Sequence, residues 1–220
     1  MLRPTVVLAA LLVIPAALGA QETAGFTVLR HGDTVAVERY TREHYALGGS
    51  LTRSIAGDTR ERVNYQVTLL EDGSAPLLEL SAWRAEDPAE SPARQTTRVI
   101  FKDDSVAVDV VNRASGIRTI IFPTLVAAVP YLNLSIAFLE MATRRRVAAD
   151  RDSLAVPFFN LGGGQTVTGV VRRLGADSTL LQIGAVEFRL RVDPDGRILG
   201  GELPAQGLTI SREAGLKEAR

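Results

Sequence analysis

Beyond residue 25 the apolar positions of this chain recur every second residue. Val63, Tyr65, Val67 and Leu69 alternate with Arg62, Asn64, Gln66 and Thr68. Val106, Val108 and Val110 alternate with Ser105, Ala107 and Asp109, and Val186, Phe188, Leu190 and Val192 with Glu187, Arg189 and Arg191. A strand turns successive side chains to opposite faces, so each stretch has one dry face and one wet face. That pattern predicts antiparallel sheet covered on one side. Asp72-Gly73, Asp103-Asp104, Ser115-Gly116, Ala176-Asp177, Asp195-Gly196 and Gln206-Gly207 supply turn signals between the apolar runs. Their spacing, roughly 8–12 residues, is that of meanders in sandwiches and barrels. The stretch His31-Gly32-Asp33-Thr34-Val35-Ala36-Val37 is echoed by Lys102-Asp103-Asp104-Ser105-Val106-Ala107-Val108. With no constant period, this reads as one hairpin pattern reused rather than a solenoid.

One segment departs from the period of two. From Pro123 to Ala149 the apolar residues follow helical spacing, with Leu132, Ile136, Leu139 and Thr143 on one line and Val129, Asn133 and Ala137 on another. Pro123 suits a helix start, and Arg144, Arg145 and Arg146 suit its C-terminal end. Pro130 lacks an N–H and should kink or split the helix. Pro130, Asn133, Ser135 and Glu140 argue against a membrane span here. After the insert, Leu154 to Phe159 returns to strand, and Gly162-Gly163-Gly164 forms a hinge. The predicted order is about eight strands, a helical insert and about six strands. The fold class is therefore mainly β: an antiparallel curved sheet or half-barrel of meander hairpins, with one mid-chain apolar helix covering the sheet. The expected domains are a cleaved secretory signal peptide over 1–20, a single β-rich domain over 21–212 with the insert at about 123–149, and a frayed tail over 213–220. Ala85 to Ala93, with Pro88 and Pro92 among acidic residues, reads as a mobile loop.

The signal peptide rests on Met1 to Gln21. Arg3 gives a short positive start, Thr5 to Ile14 a compact apolar run, and Ala17-Leu18-Gly19-Ala20 small residues for cleavage. The expected location is outside the inner membrane, in the periplasm or beyond. The chain contains no cysteine, which excludes disulfides, thiolate nucleophiles, Cys-ligated zinc and a lipoprotein anchor. Lys+Arg and Asp+Glu are equal at 25 each, so there is no net field to draw in nucleic acid.

No motif for catalysis stands out. His31 and His44 are the two histidines, and a serine hydrolase would have to recruit one of them. Gly48-Gly49-Ser50 is not a nucleophile elbow. Asp193-Pro194-Asp195-Gly196 lacks the further oxygen ligands of a calcium loop and fits a tight turn. Leu161-Gly162-Gly163-Gly164-Gln165 precedes a strand-like run, whereas a phosphate loop should open a helix. Arg53, Arg60 and Arg62 with Tyr40 and Tyr45 form a basic, aromatic set that Glu38, Glu43, Asp58 and Glu61 cancel, as on a solvated sheet face. No cofactor, metal ligand or catalytic residue is expected.

The hairpins of Asp-Ser-Val-Ala-Val type, the mid-chain apolar helix and the closing run Val186 to Gly196 together resemble bacterial periplasmic proteins with an unclosed β-barrel and a helical plug, of the lipoprotein-carrier type. They also resemble exported β-rich families of unknown function. The resemblance implies binding of a lipid or other apolar or amphipathic molecule in the cell envelope. Val129, Leu132, Ile136 and Leu139 are the candidate apolar contacts, between helix and sheet. A fully packed interior fits the same pattern. The alternatives are a structural or protein-interaction module of the envelope without ligand, and a hydrolase using His31 or His44.

Overall fold

A computed structural model describes residues 21–55, 59–112 and 115–213. The first block of strands runs β1 (Glu22–Arg30), β2 (Asp33–Arg42), β3 (Ala46–Ser54), β4 (Arg60–Thr68), β5 (Leu77–Arg84), β6 (Gln95–Phe101), β7 (Ser105–Asn112) and β8 (Gly116–Pro123). A short strand β9 (Val129–Tyr131) and the helix α1 (Ile136–Ala148) follow. The second block runs β10 (Ser153–Asn160), β11 (Gln165–Arg173), β12 (Ser178–Ile183), β13 (Val186–Val192), β14 (Ile198–Leu203) and β15 (Leu208–Arg212).

All of these strands belong to one 15-stranded sheet. The chain starts in its middle. It meanders outward from β1 to the edge at β8, crosses to the opposite edge as β9 and α1, and meanders back from β10 to β15. There β15 pairs with β1, Val28 opposite Ile210, so the two blocks are one sheet. Every pairing is antiparallel except β9 with β10. The sheet is strongly curved but does not close into a barrel. Near its ends only side chains meet: Phe122 on β8 lies 5.8 Å from the Phe159 ring on β10, and Thr124 Oγ1 lies 2.7 Å from Thr166 Oγ1.

The period of two decides which residues line the trough. Val63, Tyr65 and Val67 of β4 and Phe188, Leu190 and Val192 of β13 are buried, with exposed polar residues between them. In the trough lies α1. Ile136 to Thr143 are all buried, whichever side of the helix they occupy. Such all-round burial is what an inward-lying helix requires, unlike a helix with one wet face.

The helix is shorter than its sequence pattern predicts. Residues 123–135 are not helical: Pro123 ends β8, and Pro130 lies in β9 opposite Phe159. Proline has no amide to give to a ladder, so it suits the outermost strand of a sheet. Ala127 and Leu134 then take left-handed conformations, φ 56° and 68°, which interrupt any helix before Ser135. No helix among the described residues is long and apolar enough to cross a membrane. The 85–94 loop is tied down: Asp87 accepts from Arg84 N and Arg94 Nε, and Trp83 Nε1 donates to Ser91 O at 2.8 Å. The expected signal segment 1–20 and the tail from 214 lie outside the described residues. Glu213 is held, its amide donating to Gly25 O and its carboxylate meeting Arg39.

Candidate functional site

Two joints fix α1 in the trough, and both are carboxylates. Ala36, Glu38 and Tyr40 are the inward positions of β2. Glu38 therefore points at the helix rather than at water, and it is only 1% exposed. One carboxylate oxygen accepts from Ile136 N at 2.6 Å and Ala137 N at 3.0 Å; the other accepts from Ser135 Oγ at 2.6 Å and Tyr65 Oη at 2.8 Å. The first amides of a helix have no partners within it and carry its positive dipole end, so an anion there is well placed. Tyr65 reaches Glu38 from β4 by crossing Gly49 on the intervening strand, where a Cβ would collide with its phenol. Burial raises the Glu38 pKa above the ordinary carboxylate value, and the four donors partly offset that rise. Burial, with the Glu38 charge, pushes the Tyr65 hydroxyl well above its usual range.

Glu140 makes the second joint. It accepts from Ile198 N at 2.8 Å and from Arg144 Nε, while Arg212 approaches to 3.6 Å. Arg144 also meets Glu22 at 2.6 Å. These contacts link α1 to β14, β15 and β1.

The two halves of the trough differ. Over the second block the packing is tight: Ile136 and Leu139 face Val28, Phe188, Leu203, Leu208 and Ile210 across a gap of about 10 Å³. That is room for one water at most. Over the first block Phe138 packs on Tyr65 of β4, and beside the Leu132 segment a cavity of about 390 Å³ remains that no residue of α1 lines. Its floor is the concave face of β4 to β8, including Val63, Leu80, Ala82, Val108, Val110, Ile120 and Phe122. Its far wall is Leu132, Phe159 and Leu161 with the turn Gly162-Gly163-Gly164. Gly164 (φ 66°) packs directly on Phe122, where a Cβ would overlap the ring. Polar groups gather at one end, where Arg53 pairs with Glu61 at 2.8 Å and donates to Asn133 O at 2.8 Å. Arg53, Leu132 and Gly162 also border an adjoining open space of about 750 Å³ with Arg30, Ile55 and Asn160, so the cavity has a mouth on that side.

The four residues singled out from sequence are distributed over this arrangement. Leu132 lines the cavity and its mouth. Ile136 and Leu139 line the narrow gap between the helix and β1, β13, β14 and β15, and not the cavity. Val129 is buried within β9 opposite Phe158. The cavity floor comes instead from half-buried inward residues of β5 to β8, which the alternating pattern marks as apolar but cannot mark as uncovered. Glu38 and Tyr40, grouped in the sequence with a solvated face, are buried; Glu38 at an inward position of β2 was the available signal.

The other candidates fall in ordinary places. His31 (φ 52°) occupies the β1–β2 turn against Gly207, and His44 packs edge-on against Tyr45. Asp193 caps its own turn, accepting from Asp195 N and Arg197 N. Gly162 to Gly164 turn between two strands. Among the described residues no group of three or more His, Cys, Asp or Glu is placed to hold a metal.

No family model and no curated protein matches the chain. Solved structures do. A DUF1089 family protein from Pseudomonas aeruginosa superposes with a TM-score of 0.54 at 12% identity, covering 93% of this chain and 98% of that one. A beta-barrel-like protein of the domain of unknown function DUF1849 from Brucella abortus gives a TM-score of 0.51 at 7% identity, covering 88% of this chain and 94% of that one. At these identities the likeness is one of fold.

Proposed function

We propose that this chain is an exported envelope protein that binds an apolar or amphipathic small molecule in the cavity between the β4–β8 face and the segment carrying Leu132. The observation that supports the reading is the unequal filling of the trough. The helix packs tightly on β1 and β13 to β15, while a space of about 390 Å³ that no residue of α1 lines, walled mainly by aliphatic and aromatic side chains, remains over β4 to β8. That volume falls in the range of small-molecule pockets, roughly 300–1,000 Å³. An apolar part of the ligand lies against Val108, Val110 and Ile120, and a polar end meets Arg53 and Glu61 at the mouth. Export rests on the apolar N-terminal run and small residues before Gln21.

Native mass spectrometry of protein gently purified from its own envelope tests the reading, together with titration of a fluorescent apolar probe. Ala82→Phe adds bulk inside the cavity without removing a contact. The expected result is a one-to-one complex in the parent chain, weakened at least about tenfold in the variant, the loss of roughly 1.4 kcal/mol of binding. A parent chain that binds neither probe nor co-purifying molecule sinks the proposal. It would leave the second reading, an interaction module of the envelope, which the exposed Ile117 and Ile121 of the edge strand β8 favour.

A further inference from the structure

Away from the apolar cavity, the C-terminal half of α1, the end of β2, the β4–β5 turn and the β13–β14 turn surround an open pocket of about 470 Å³. Met141, Arg144, Arg145 and Ala148, on one face of the helix, form a wall, and Arg42 and Arg197 stand around it. Each carboxylate on the lining is engaged. Glu71 accepts from Tyr45 Oη, Asp72 from Ser74 N, and Asp195 pairs with Arg197 at 3.4 Å. Arg144 is held by Glu22 and Glu140. Arg197 also meets Glu22 at 3.3 Å and Asp193 at 3.8 Å, whereas Arg42 and Arg145 form no ion pair with a described residue. Arg42 is half-buried, and its side chain makes no hydrogen bond or ion pair with any described residue. Arg145 donates its terminal nitrogens to the carbonyls of Ala127 and Gly73, and its Nε is buried with no partner.

The unused hydrogen-bonding capacity of this pocket is thus N–H on guanidinium groups. A buried donor without an acceptor is costly, and Arg42 also lies in the field of Arg144. Burial first, and that neighbouring charge second, pull the Arg42 pKa down. A bound anion would relieve both. We propose that this pocket binds a phosphate-type oxyanion, with Arg42 and Arg145 donating charge-assisted hydrogen bonds. Guanidinium forks suit tetrahedral oxyanions, which take donors from several directions. The anion is either free phosphate or the headgroup of a phospholipid.

Calorimetric titration of the full chain with inorganic phosphate at low ionic strength tests the site. One saturable site is expected, weakened roughly tenfold to hundredfold in Arg42→Gln, the range for losing one hydrogen bond to a charged group. Arg172→Gln, at an exposed position of β11, should leave it unchanged. Since Arg42 touches no partner, its variant is expected to fold. Arg145→Lys, which keeps the charge and removes the buried Nε donor, gives an independent reading. Co-sedimentation with phosphatidylcholine vesicles containing phosphatidylglycerol separates the sources. Binding that depends on Arg42 and appears only with these vesicles assigns the headgroup; Arg42-dependent binding of inorganic phosphate assigns the free ion. Absence of Arg42-dependent binding in both assays overturns the proposal.

Discussion

Glu38 belongs to β2 but satisfies the first turn of α1, so its removal strands groups on β4, on α1 and on the residue before it. In Glu38→Ala the hydroxyls of Tyr65 and Ser135 and the amides of Ile136 and Ala137 lose their acceptor inside a water-poor site. Leaving such a set unpaired costs about 3–5 kcal/mol. Urea unfolding of the variant measures this directly, and a loss under about 1 kcal/mol would mean that water replaces the carboxylate. A pH dependence follows from the same burial. The folded pKa of Glu38 lies above the ordinary value of 4.5. Between the unfolded and folded values the native chain binds the proton more tightly than the unfolded chain does. The contribution of this group to stability is therefore complete below about 4.5, and it declines as pH rises through the folded value. Glu38→Gln cannot titrate, so its deficit against the parent should be largest in acid and shrink toward neutral pH. A deficit that instead grows with pH would show that the four donors and the helix dipole outweigh burial.

At the scale of elements, the sequence carried most of the strands and misplaced the helix start, for a physical reason in each case. A strand with one dry face writes its own period into the chain, and a turn writes itself as Asp-Gly or its relatives, so the β4, β7 and β13 alternations and their hairpins were legible. The 123–135 segment was not. Ala128 to Leu132 are apolar because they run along the inside edge of the sheet, and a buried edge strand and a buried helix share the same composition. Pro130 pointed to an interruption; what it could not show is that β9 pairs parallel with β10, since that partner lies beyond the helix in sequence. The same limit applies to the site. Leu132 was legible as an inward apolar residue near the cavity, but Ile136 and Leu139 turn to the tightly packed half, and nothing in their spacing tells one half from the other. Glu140 and Arg144 show a helical spacing of four, whereas their partners Glu22, Ile198 and Arg212 come from β1, β14 and β15, far from the helix in sequence.

At the scale of the whole molecule, the fold leaves the sheet with two edges, β8 and β9, because the first block runs outward from β1 and the second runs back from the opposite edge to pair β15 with β1. β9 is only three residues long, and short edges are self-limiting. β8 is eight residues long, with Ile117 76% and Ile121 70% exposed on its outer face beside Val111 of β7. Leu125 and Val126, just beyond the strand, extend the apolar run. An outer strand with free backbone groups and a row of exposed aliphatic side chains is the arrangement that promotes strand-to-strand association. Lysines at the same positions would oppose it by charge and would disturb no buried contact. The double variant Ile117→Lys, Ile121→Lys should keep its unfolding free energy within about 0.5 kcal/mol per exposed site. It should also lower the concentration-dependent association of the parent chain in sedimentation velocity. Equal association in both chains, or a parent that stays monomeric over the accessible range, would mean that the contact of Phe122 with Phe159 curls this edge inward far enough to close it to partners.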